Sequence, residues 1–177
     1  ASSKSWDATP ETGVRGKTMG ILGTGSIGSA IAEAVKPLGI NCQGMNSSGL
    51  PTAGFTQCFE SNDLQFFEGL DYCVAVLPKT EATDRILSSR AFDAMSDDAI
   101  VINVGRGNAI DDDALLHALD NNSLRAAVLD VFTTEPLPED HRFWQHPQTG
   151  LVSQARAIAQ RVHPYHRPVH QSWESGV

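Results

Sequence analysis

The sequence is poor in cysteine, in positive charge and in long apolar runs. Three scattered cysteines without a Cys-x-x-Cys pair argue against a disulfide framework or a zinc site, and a reducing cytoplasm is the expected location. A net charge of −8 excludes the basic surface that is typical of nucleic-acid binding. No run of about 18 apolar residues exists to span a membrane, and the N-terminal residues lack the apolar core of a secretory signal. Neither a nucleic acid nor a membrane is therefore an expected partner.

Charge is distributed unevenly along the 177 residues. Residues 1–150 hold ten Lys and Arg against 20 Asp and Glu, whereas residues 151–177 hold three Arg, three His and one Glu. Apolar residues make up 41% of the chain and charged residues 19%, as expected for a packed globular domain. The sequence predicts one folded domain at 17–147, a lead-in at 1–16 and an atypical tail at 148–177.

Short apolar segments alternate with segments of helical periodicity. The apolar runs predict buried strands, and apolar residues three or four positions apart predict helices. This alternation is typical of the doubly wound α/β class of Rossmann type, in which helices cover both faces of a parallel sheet. The predicted strands are 17–22, 40–45, 55–59, 71–77, 99–104 and 126–131, and the predicted helices are 26–38, 61–68, 88–95 and 111–119.

Two of the helices have a predicted inward face. Gly39 is placed to cap the C-terminus of the first. The inward residues of that helix are predicted to be Ile27, Ala30, Ile31, Ala34, Val35 and Leu38, and those of the helix at 111–119 are predicted to be Ala114, Leu115, Ala118 and Leu119.

Residues 23–28 form a G-x-G-x-x-G motif between the first predicted strand and the first predicted helix. In that position Gly23 permits the tight turn, Gly25 lets the backbone approach a pyrophosphate, and Gly28 allows close packing of helix and strand. The helix N-terminus then offers free N–H groups to the phosphates. A plain strand–helix turn is the alternative, but the context favours dinucleotide binding through Gly23, Thr24, Gly25, Ser26, Ile27 and Gly28.

The residues after the second predicted strand bear on the choice between NAD and NADP. A carboxylate there binds the ribose hydroxyls of NAD and repels the 2′-phosphate of NADP. This sequence has Asn46, Ser47 and Ser48 instead, which favours NADP slightly and leaves NAD open, because no arginine follows to bind the phosphate.

Four ordered motifs resemble those of the D-isomer-specific 2-hydroxyacid dehydrogenases. They lie at 16–28, 77–83, 103–107 and 129–138, and together the resemblance covers about residues 15–147. Within the family, the glyoxylate/hydroxypyruvate reductase-like branch is the most similar. The resemblance implies hydride transfer between a nicotinamide cofactor and a small 2-keto or 2-hydroxy acid.

The resemblance also implies roles for individual residues. Arg106 matches the arginine that binds the substrate carboxylate and carbonyl, a role that suits a guanidinium. Glu135 matches the carboxylate that orients the catalytic histidine, and Asp130 matches the residue that contacts the nicotinamide carboxamide. Further cofactor-binding positions implied are Leu77, Pro78, Thr83, Val104, Gly105 and Arg106.

Two departures from the family pattern stand out. Family members have roughly half as much chain again before the cofactor domain, which makes most of the substrate domain, so only the cofactor domain is expected here. The acid–base histidine should lie in a Pro-His pair about 18–19 residues after Glu135, where this sequence has Gln154. Glutamine donates hydrogen bonds but supplies no proton near neutral pH, and the loss of such a group typically removes ~10²–10⁴ in rate. The change of composition near residue 150 is consistent with a truncated or frame-shifted reading.

Two functions therefore remain open. One is the cofactor domain of a 2-hydroxyacid dehydrogenase, which could dimerise as the family does, and the other is a cofactor-binding remnant with little turnover. His141 and His146 are expected to be solvated loop residues, and His163 could at most be a displaced acid. No metal site is expected, because Pro164 and Pro168 interrupt the histidines of the tail.

Overall fold

Seven parallel strands form one sheet in the computed structural model, which describes residues 13–151. Their spatial order is β3-β2-β1-β4-β5-β6-β7. The doubly wound α/β fold predicted from the sequence is confirmed. The strands are β1 (Thr18–Leu22), β2 (Asn41–Asn46), β3 (Gln57–Glu60), β4 (Tyr72–Ala75), β5 (Ile100–Asn103), β6 (Ala126–Leu129) and β7 (Thr149–Leu151), and the α-helices are α1 (Ser26–Val35), α2 (Ser89–Ala94) and α3 (Asp112–Asp120).

Successive side chains of the strands belong to two separate apolar cores, one on each face of the sheet. On β1, Ile21 packs with Ala32 of α1, whereas Leu22 joins the core that contains Phe92 of α2 and Leu115 of α3. Because successive side chains of a strand point to opposite faces, α1 lies on one face of the sheet and α2 and α3 lie on the other. In the described part of the chain, no helix is long and apolar enough to cross a membrane.

The predicted inward face of the first helix is wrong in part. Ile27 is 63% exposed and Leu38 52% exposed, and Ala30 and Ala34 are also exposed. The residues that α1 buries are Gly28 and Ala32, with Ile31 and Val35 half-buried beside them. Small residues face the sheet because the helix packs so closely on β1 that a Cβ on Gly28 would overlap the carbonyl oxygen of Gly23. The inward face predicted for α3 is confirmed, with Leu115, Ala118 and Leu119 buried and Ala114 half-buried.

Smaller differences concern the connections. Residues 61–68 contain a four-residue 3-10 helix, Leu64–Phe67, and Gly39 ends the first helical segment at a φ of 76° as expected. The short strand β7 has no counterpart among the predicted strands, and it pairs with β6 just beyond residue 147. The domain bounds of 17–147 stay a prediction. Most of the predicted tail lies outside the described residues.

The register of the sheet brings the segments that follow four strands to one edge. The backbone N–H of Val76 donates to Leu22, that of Val104 donates to Ala75, and that of Asp130 donates to Asn103, at 3.0, 3.2 and 3.0 Å. Ligands of open parallel sheets bind at this carboxyl edge, where the strand order reverses beside β1. The glycine turn after β1 and the predicted site residues after β4, β5 and β6 all lie at this edge.

Candidate dinucleotide site

The three glycines of the turn after β1 differ in how far the backbone and the packing explain them. Gly23 has a φ of +103°, a conformation that L side chains rarely adopt. Gly28 lies against the carbonyl oxygen of Gly23, so a side chain there would force the helix off the sheet. Gly25 has an ordinary φ of −72°, and a Cβ on it would meet no atom of the described chain within 4 Å. Neither the backbone nor the packing of residues 13–151 therefore explains the glycine at 25, whereas a ligand that approaches this backbone closely would.

The N-terminus of α1 is left open by the described residues. Its N-cap is Gly25, which has no side chain to accept a hydrogen bond, and its first turn contains no acidic residue. By contrast, α3 begins with Asp111 accepting from the N–H of Ala114, followed by Asp112 and Asp113. The first N–H groups of a helix have no partner within the helix and carry a partial positive charge. The N-terminus of α1 is thus arranged to take an external anion, and that of α3 is not.

The segment after β2 is folded around the side chain of Asn46. Its amide nitrogen lies 3.2 Å from Oγ1 of Thr24 and 3.0 Å from the carbonyl oxygen of Leu50, and its Oδ1 accepts from the N–H of Ser48 at 3.1 Å. Ser47 and Ser48 are exposed on the outside of this loop. The structure therefore places the three residues that were predicted to bind the ribose together, beside the glycine turn. That they bind the ribose stays a prediction.

A short 3-10 helix holds the predicted residues after β4. Oγ1 of Thr83 donates to the carbonyl oxygen of Pro78 at 2.8 Å and accepts from the N–H of Thr80 at 3.0 Å. Leu77 is half-buried, and Pro78 is exposed at the edge of the sheet. The motif at 77–83 is thus one compact loop, in which Thr83 fixes the position of Pro78.

The turn after β5 holds Arg106 between two close backbone contacts. A Cβ on Gly105 would lie 2.8 Å from the backbone nitrogen of Leu77, and one on Gly107 would overlap the backbone of Phe132. Arg106 itself is exposed, and its guanidinium donates to the carbonyl oxygen of Gly105 at 2.8 Å. The backbone of the arginine is therefore held against the segments after β4 and β6, while its side chain remains accessible.

Sequence reasoning missed the residue that organises this turn, Asn103. Its side chain is completely buried, accepts from the N–H of Gly105 and donates to the carbonyl oxygen of Arg106, both at 3.1 Å. A polar residue at the end of an apolar strand, two positions before a glycine, was the available signal, because asparagine commonly bonds the backbone two residues further along.

Two carboxylates follow β6. Oδ1 of Asp130 is buried and has no hydrogen-bond partner within the described residues. Oε1 of Glu135 accepts from the N–H of Phe132 at 2.9 Å, and Glu135 is exposed. Buried polar atoms nearly always have a partner, so the free oxygen of Asp130 indicates a missing donor at this edge.

Exposed apolar side chains flank the same edge. Ile27 at the start of α1 is 63% exposed, and Val104 after β5 is 43% exposed. Together with the open helix N-terminus and the unpaired oxygen of Asp130, they offer apolar contact, anion binding and a hydrogen-bond acceptor. These are the three features that the ring, phosphates and carboxamide of a nicotinamide dinucleotide require, so the residues present fit such a cofactor.

The loop histidines differ from the sequence expectation. His146 is largely buried and contacts Asp120, with 3.3 Å between Nε2 and Oδ1, and His141 accepts from the N–H of Phe143 and lies beside Asp112. The prediction of solvated side chains is wrong, because His146 contacts Asp120 at the end of α3 and His141 bonds the N–H of Phe143 in its own loop. Among residues 13–151 no group of three or more His, Cys, Asp and Glu is placed to hold a metal ion. Gln154 and the predicted features of the histidines at 163, 166 and 170 lie outside the described residues.

Comparison with known proteins identifies the fold with one family. Residues 1–153 match the family model described as D-isomer specific 2-hydroxyacid dehydrogenase, NAD binding domain. The chain is 36% identical over 143 residues to a glyoxylate/hydroxypyruvate reductase A of Serratia proteamaculans, which covers 80% of this chain and 45% of that protein. It is 35% identical over 167 residues to an uncharacterised protein of Corynebacterium melassecola, covering 90% of this chain and 55% of the other.

Solved structures give the same result. A D-isomer specific 2-hydroxyacid dehydrogenase family protein from Aeromonas salmonicida superposes with a TM-score of 0.79 at 39% identity, over 88% of this chain and 52% of that one. An NADPH-dependent glyoxylate/hydroxypyruvate reductase from Sinorhizobium meliloti, solved with NADP and sulfate, has a TM-score of 0.76 at 28% identity, over 89% and 53%.

The chain spans about half the length of these relatives. The family model covers most of the chain, and the sheet order, the glycine turn and the open helix N-terminus agree with it. The chain belongs to the NAD-binding domain family of the D-isomer-specific 2-hydroxyacid dehydrogenases.

Proposed function

We propose that this chain supplies the cofactor half of a reductase that converts small 2-keto acids to 2-hydroxy acids with NADPH or NADH. The observation that carries the proposal is Gly25, whose missing side chain leaves open space over an uncapped helix N-terminus. The similarity to glyoxylate/hydroxypyruvate reductases supports the substrate class.

The glycine turn would hold the diphosphate of the cofactor. The N–H groups at the start of α1, from Ser26, Ile27 and Gly28, point out of the helix and have no intrahelical acceptor. Two phosphate charges at this point would be stabilised by hydrogen bonds and by the helix dipole. Thr24 completes the turn, and its hydroxyl oxygen accepts a hydrogen bond from the side chain of Asn46.

Asp130 would orient the nicotinamide. Its unpaired Oδ1 accepts a hydrogen bond from the carboxamide, which satisfies an oxygen that is buried without a partner in residues 13–151. Val104 and Ile27 contribute apolar contact to the ring, and Leu77, Pro78, Thr83 and Gly105 form the adjoining wall. When bound, the nicotinamide supplies the hydride for the 2-keto carbon.

Arg106 and Glu135 would be the catalytic side chains of this half. The exposed guanidinium of Arg106 binds the carboxylate of a 2-keto acid and polarises its carbonyl group. Glu135, fixed by the N–H of Phe132, would orient a proton-donating histidine. This role depends on a histidine that the family pattern places where the sequence has Gln154.

The absence of a Pro-His pair from the sequence favours a second candidate function, a cofactor-binding module with little or no turnover. In that case Arg106 and the glycine turn still bind their ligands, but no group protonates the carbonyl oxygen. The two candidates share cofactor binding and differ only in turnover.

NADP is the preferred cofactor in this proposal. No carboxylate stands at 46–48 to repel a 2′-phosphate, and the exposed Ser47 has a hydroxyl that makes no hydrogen bond within the described residues. Similar structures from Sinorhizobium meliloti and Xanthobacter autotrophicus were solved with NADP and NADPH respectively, at 28% and 26% identity.

The proposal also includes a cytoplasmic location for the protein and its assembly into a homodimer.

The test is to titrate the 177-residue chain with NADPH and with NADH by calorimetry and then to add glyoxylate or hydroxypyruvate. Oxidation of the bound NADPH supports the reductase, whereas binding without oxidation supports the module. Absence of binding of either cofactor would contradict both.

A further inference from the structure

The side chain of Asn46 makes all its hydrogen bonds inside the protein. Its amide nitrogen lies within 3.4 Å of three acceptors, Oγ1 of Thr24, the carbonyl oxygen of Leu50 and Oγ1 of Thr52. Its oxygen accepts from both the N–H and the hydroxyl of Ser48, at 3.1 and 3.2 Å. An asparagine amide has two N–H donors and two acceptor sites, so these contacts occupy both N–H groups and both acceptor sites.

The partners of Asn46 are themselves fixed. Oγ1 of Thr52 donates to Oγ1 of Thr24 at 3.1 Å, which closes a triangle of polar groups between the ends of β1 and β2. The methyl group of Thr24 packs on Gly44, where a Cβ would overlap it. The rotamer of Thr24 is therefore held from both sides. Asn46 joins the loop at residues 46–52 to the glycine turn at residues 23–28.

Ser47 differs from its neighbours in this loop. Its side chain is exposed, and within the described residues its hydroxyl makes no hydrogen bond, whereas the hydroxyl of Ser48 is held between Asn46 and the N–H of Leu50. The loop therefore presents one uncommitted side-chain donor to a ligand.

We propose that Asn46 is a positioning residue and that Ser47 is the side chain that meets the 2′ substituent of the adenosine ribose. This inference rests on the proposed dinucleotide function. Residues 46–52 contain neither a cation nor a carboxylate, and the exposed carboxylate of Glu60 on the neighbouring strand β3 disfavours a 2′-phosphate, so the proposal assigns the preference for NADPH to the neutral hydroxyl of Ser47. The Ser47 hydroxyl can bond the 2′-hydroxyl of NADH as well as the 2′-phosphate of NADPH, but a bond to a charged group is roughly twice as strong, so we expect a preference for NADPH of about two- to tenfold.

Neutral substitutions separate the two roles. Ser47→Ala lowers the affinity for NADPH about two- to tenfold and brings the ratio of the NADPH and NADH dissociation constants close to one. Asn46→Ala weakens binding of both cofactors by a similar factor and leaves that ratio within about twofold of the unmodified chain, because the whole loop loses its position.

Thr52→Val provides the milder matched variant. It keeps the shape of the side chain, removes the hydroxyl that contacts Asn46 and Thr24, and changes no atom that the proposal places against the cofactor. It is expected to reproduce the effect of Asn46→Ala in weaker form, and its effect is expected to disappear when Asn46 is already alanine, because the two changes remove one network.

The experiment measures dissociation constants of NADPH and NADH by calorimetry for the 177-residue chain and its Ser47→Ala, Asn46→Ala, Thr52→Val and double variants. The proposal is overturned if Asn46→Ala abolishes the NADPH preference while NADH binding is retained, or if Ser47→Ala changes neither constant. If the unmodified chain binds neither cofactor, the proposed function fails as well. Thr52→Val keeps the test decisive should Asn46→Ala not fold.

Discussion

Asn103 and Arg106 are joined by a hydrogen bond of 3.1 Å from the side-chain amide of the asparagine to the backbone carbonyl oxygen of the arginine. The asparagine is completely buried, and the guanidinium is exposed. A buried amide thus fixes the base of a side chain that faces solvent. Such support allows a long flexible arginine to act from a defined position.

Asn103→Ala is expected to lower the free energy of unfolding by about 1–3 kcal/mol, because the buried N–H of Gly105 loses its partner and the carbonyl oxygen of Arg106 keeps only the N–H of Ala109. Urea unfolding of the cofactor-free chain measures this change. Asn41→Ala is the matched control, since Asn41 is exposed at the start of β2 and a surface substitution of this kind changes stability by about 0.5 kcal/mol or less. Equal effects of the two substitutions would contradict the role given to Asn103.

Gly25→Ala is expected to leave the fold intact and to weaken binding of both NADPH and NADH. The φ of −72° at Gly25 is compatible with alanine, which restricts the unfolded chain, but alanine is a poorer N-cap than glycine, so the two effects oppose each other and stability should change by about 1 kcal/mol or less. The added methyl group occupies the space into which the diphosphate fits, and one misplaced methyl group in a fitted site costs about tenfold or more in affinity.

Gly13→Ala is the control for Gly25→Ala. A Cβ at Gly13 also meets nothing within 4 Å, but this residue lies before β1, at the opposite edge of the sheet. Its substitution should alter neither cofactor affinity nor the fold. If Gly25→Ala binds cofactor as well as Gly13→Ala does, the open space over the turn is not the diphosphate site.

Asp130→Ala is expected to separate stability from binding. Removing an oxygen that is buried without a partner relieves a desolvation cost of ~1–3 kcal/mol, so the cofactor-free chain should be at least as stable as before. Affinity for the cofactor should fall about tenfold, because hydrogen bonds to charged groups contribute ~1.5–3 kcal/mol. Asp130→Asn, which retains an oxygen acceptor, should lose less affinity than Asp130→Ala. A strong loss of stability with unchanged affinity would make Asp130 a structural residue.

The three cysteines report on the packing of the sheet. Cys42 and Cys73 are buried on β2 and β4, and burial raises the pKa of both thiols, so neither should react with a thiol reagent in the folded chain at pH 8. Cys58 on β3 is only half-buried and should be modified first. Counting modified thiols by mass spectrometry with and without urea checks this, and rapid modification of Cys73 without urea would be inconsistent with the described core.

Sequence patterns predicted the order of strands and helices because those signals are local. Apolar runs that end at a glycine or proline define β1 and β4, and the roles of Gly23 and Gly28 follow from backbone geometry that any strand–glycine–helix turn shares. The face of α1 was not predictable in the same way. Periodicity selects the most apolar stripe, which includes Ile27, whereas close packing on β1 selects the smallest residues, Gly28 and Ala32.

Residues whose partners are distant in the sequence were beyond prediction. Strand β7 has only three residues, and it exists through pairing with β6, more than 20 positions earlier. The hydrogen bond between Asn46 and Thr24, which lies 22 positions away, was not predicted. His146 looked solvated because Asp120, 26 positions away, is its partner. In each case the missing information is a tertiary contact.

The central claim is that the backbone amides of the glycine turn and of the start of α1 bind the cofactor diphosphate. An NMR titration of the ¹⁵N-labelled chain with NADPH tests it directly. The amide signals of Gly25, Ser26, Ile27 and Gly28 should shift the most and should saturate together with binding measured by calorimetry. Saturable NADPH binding that leaves these four amide signals in place would contradict the claim.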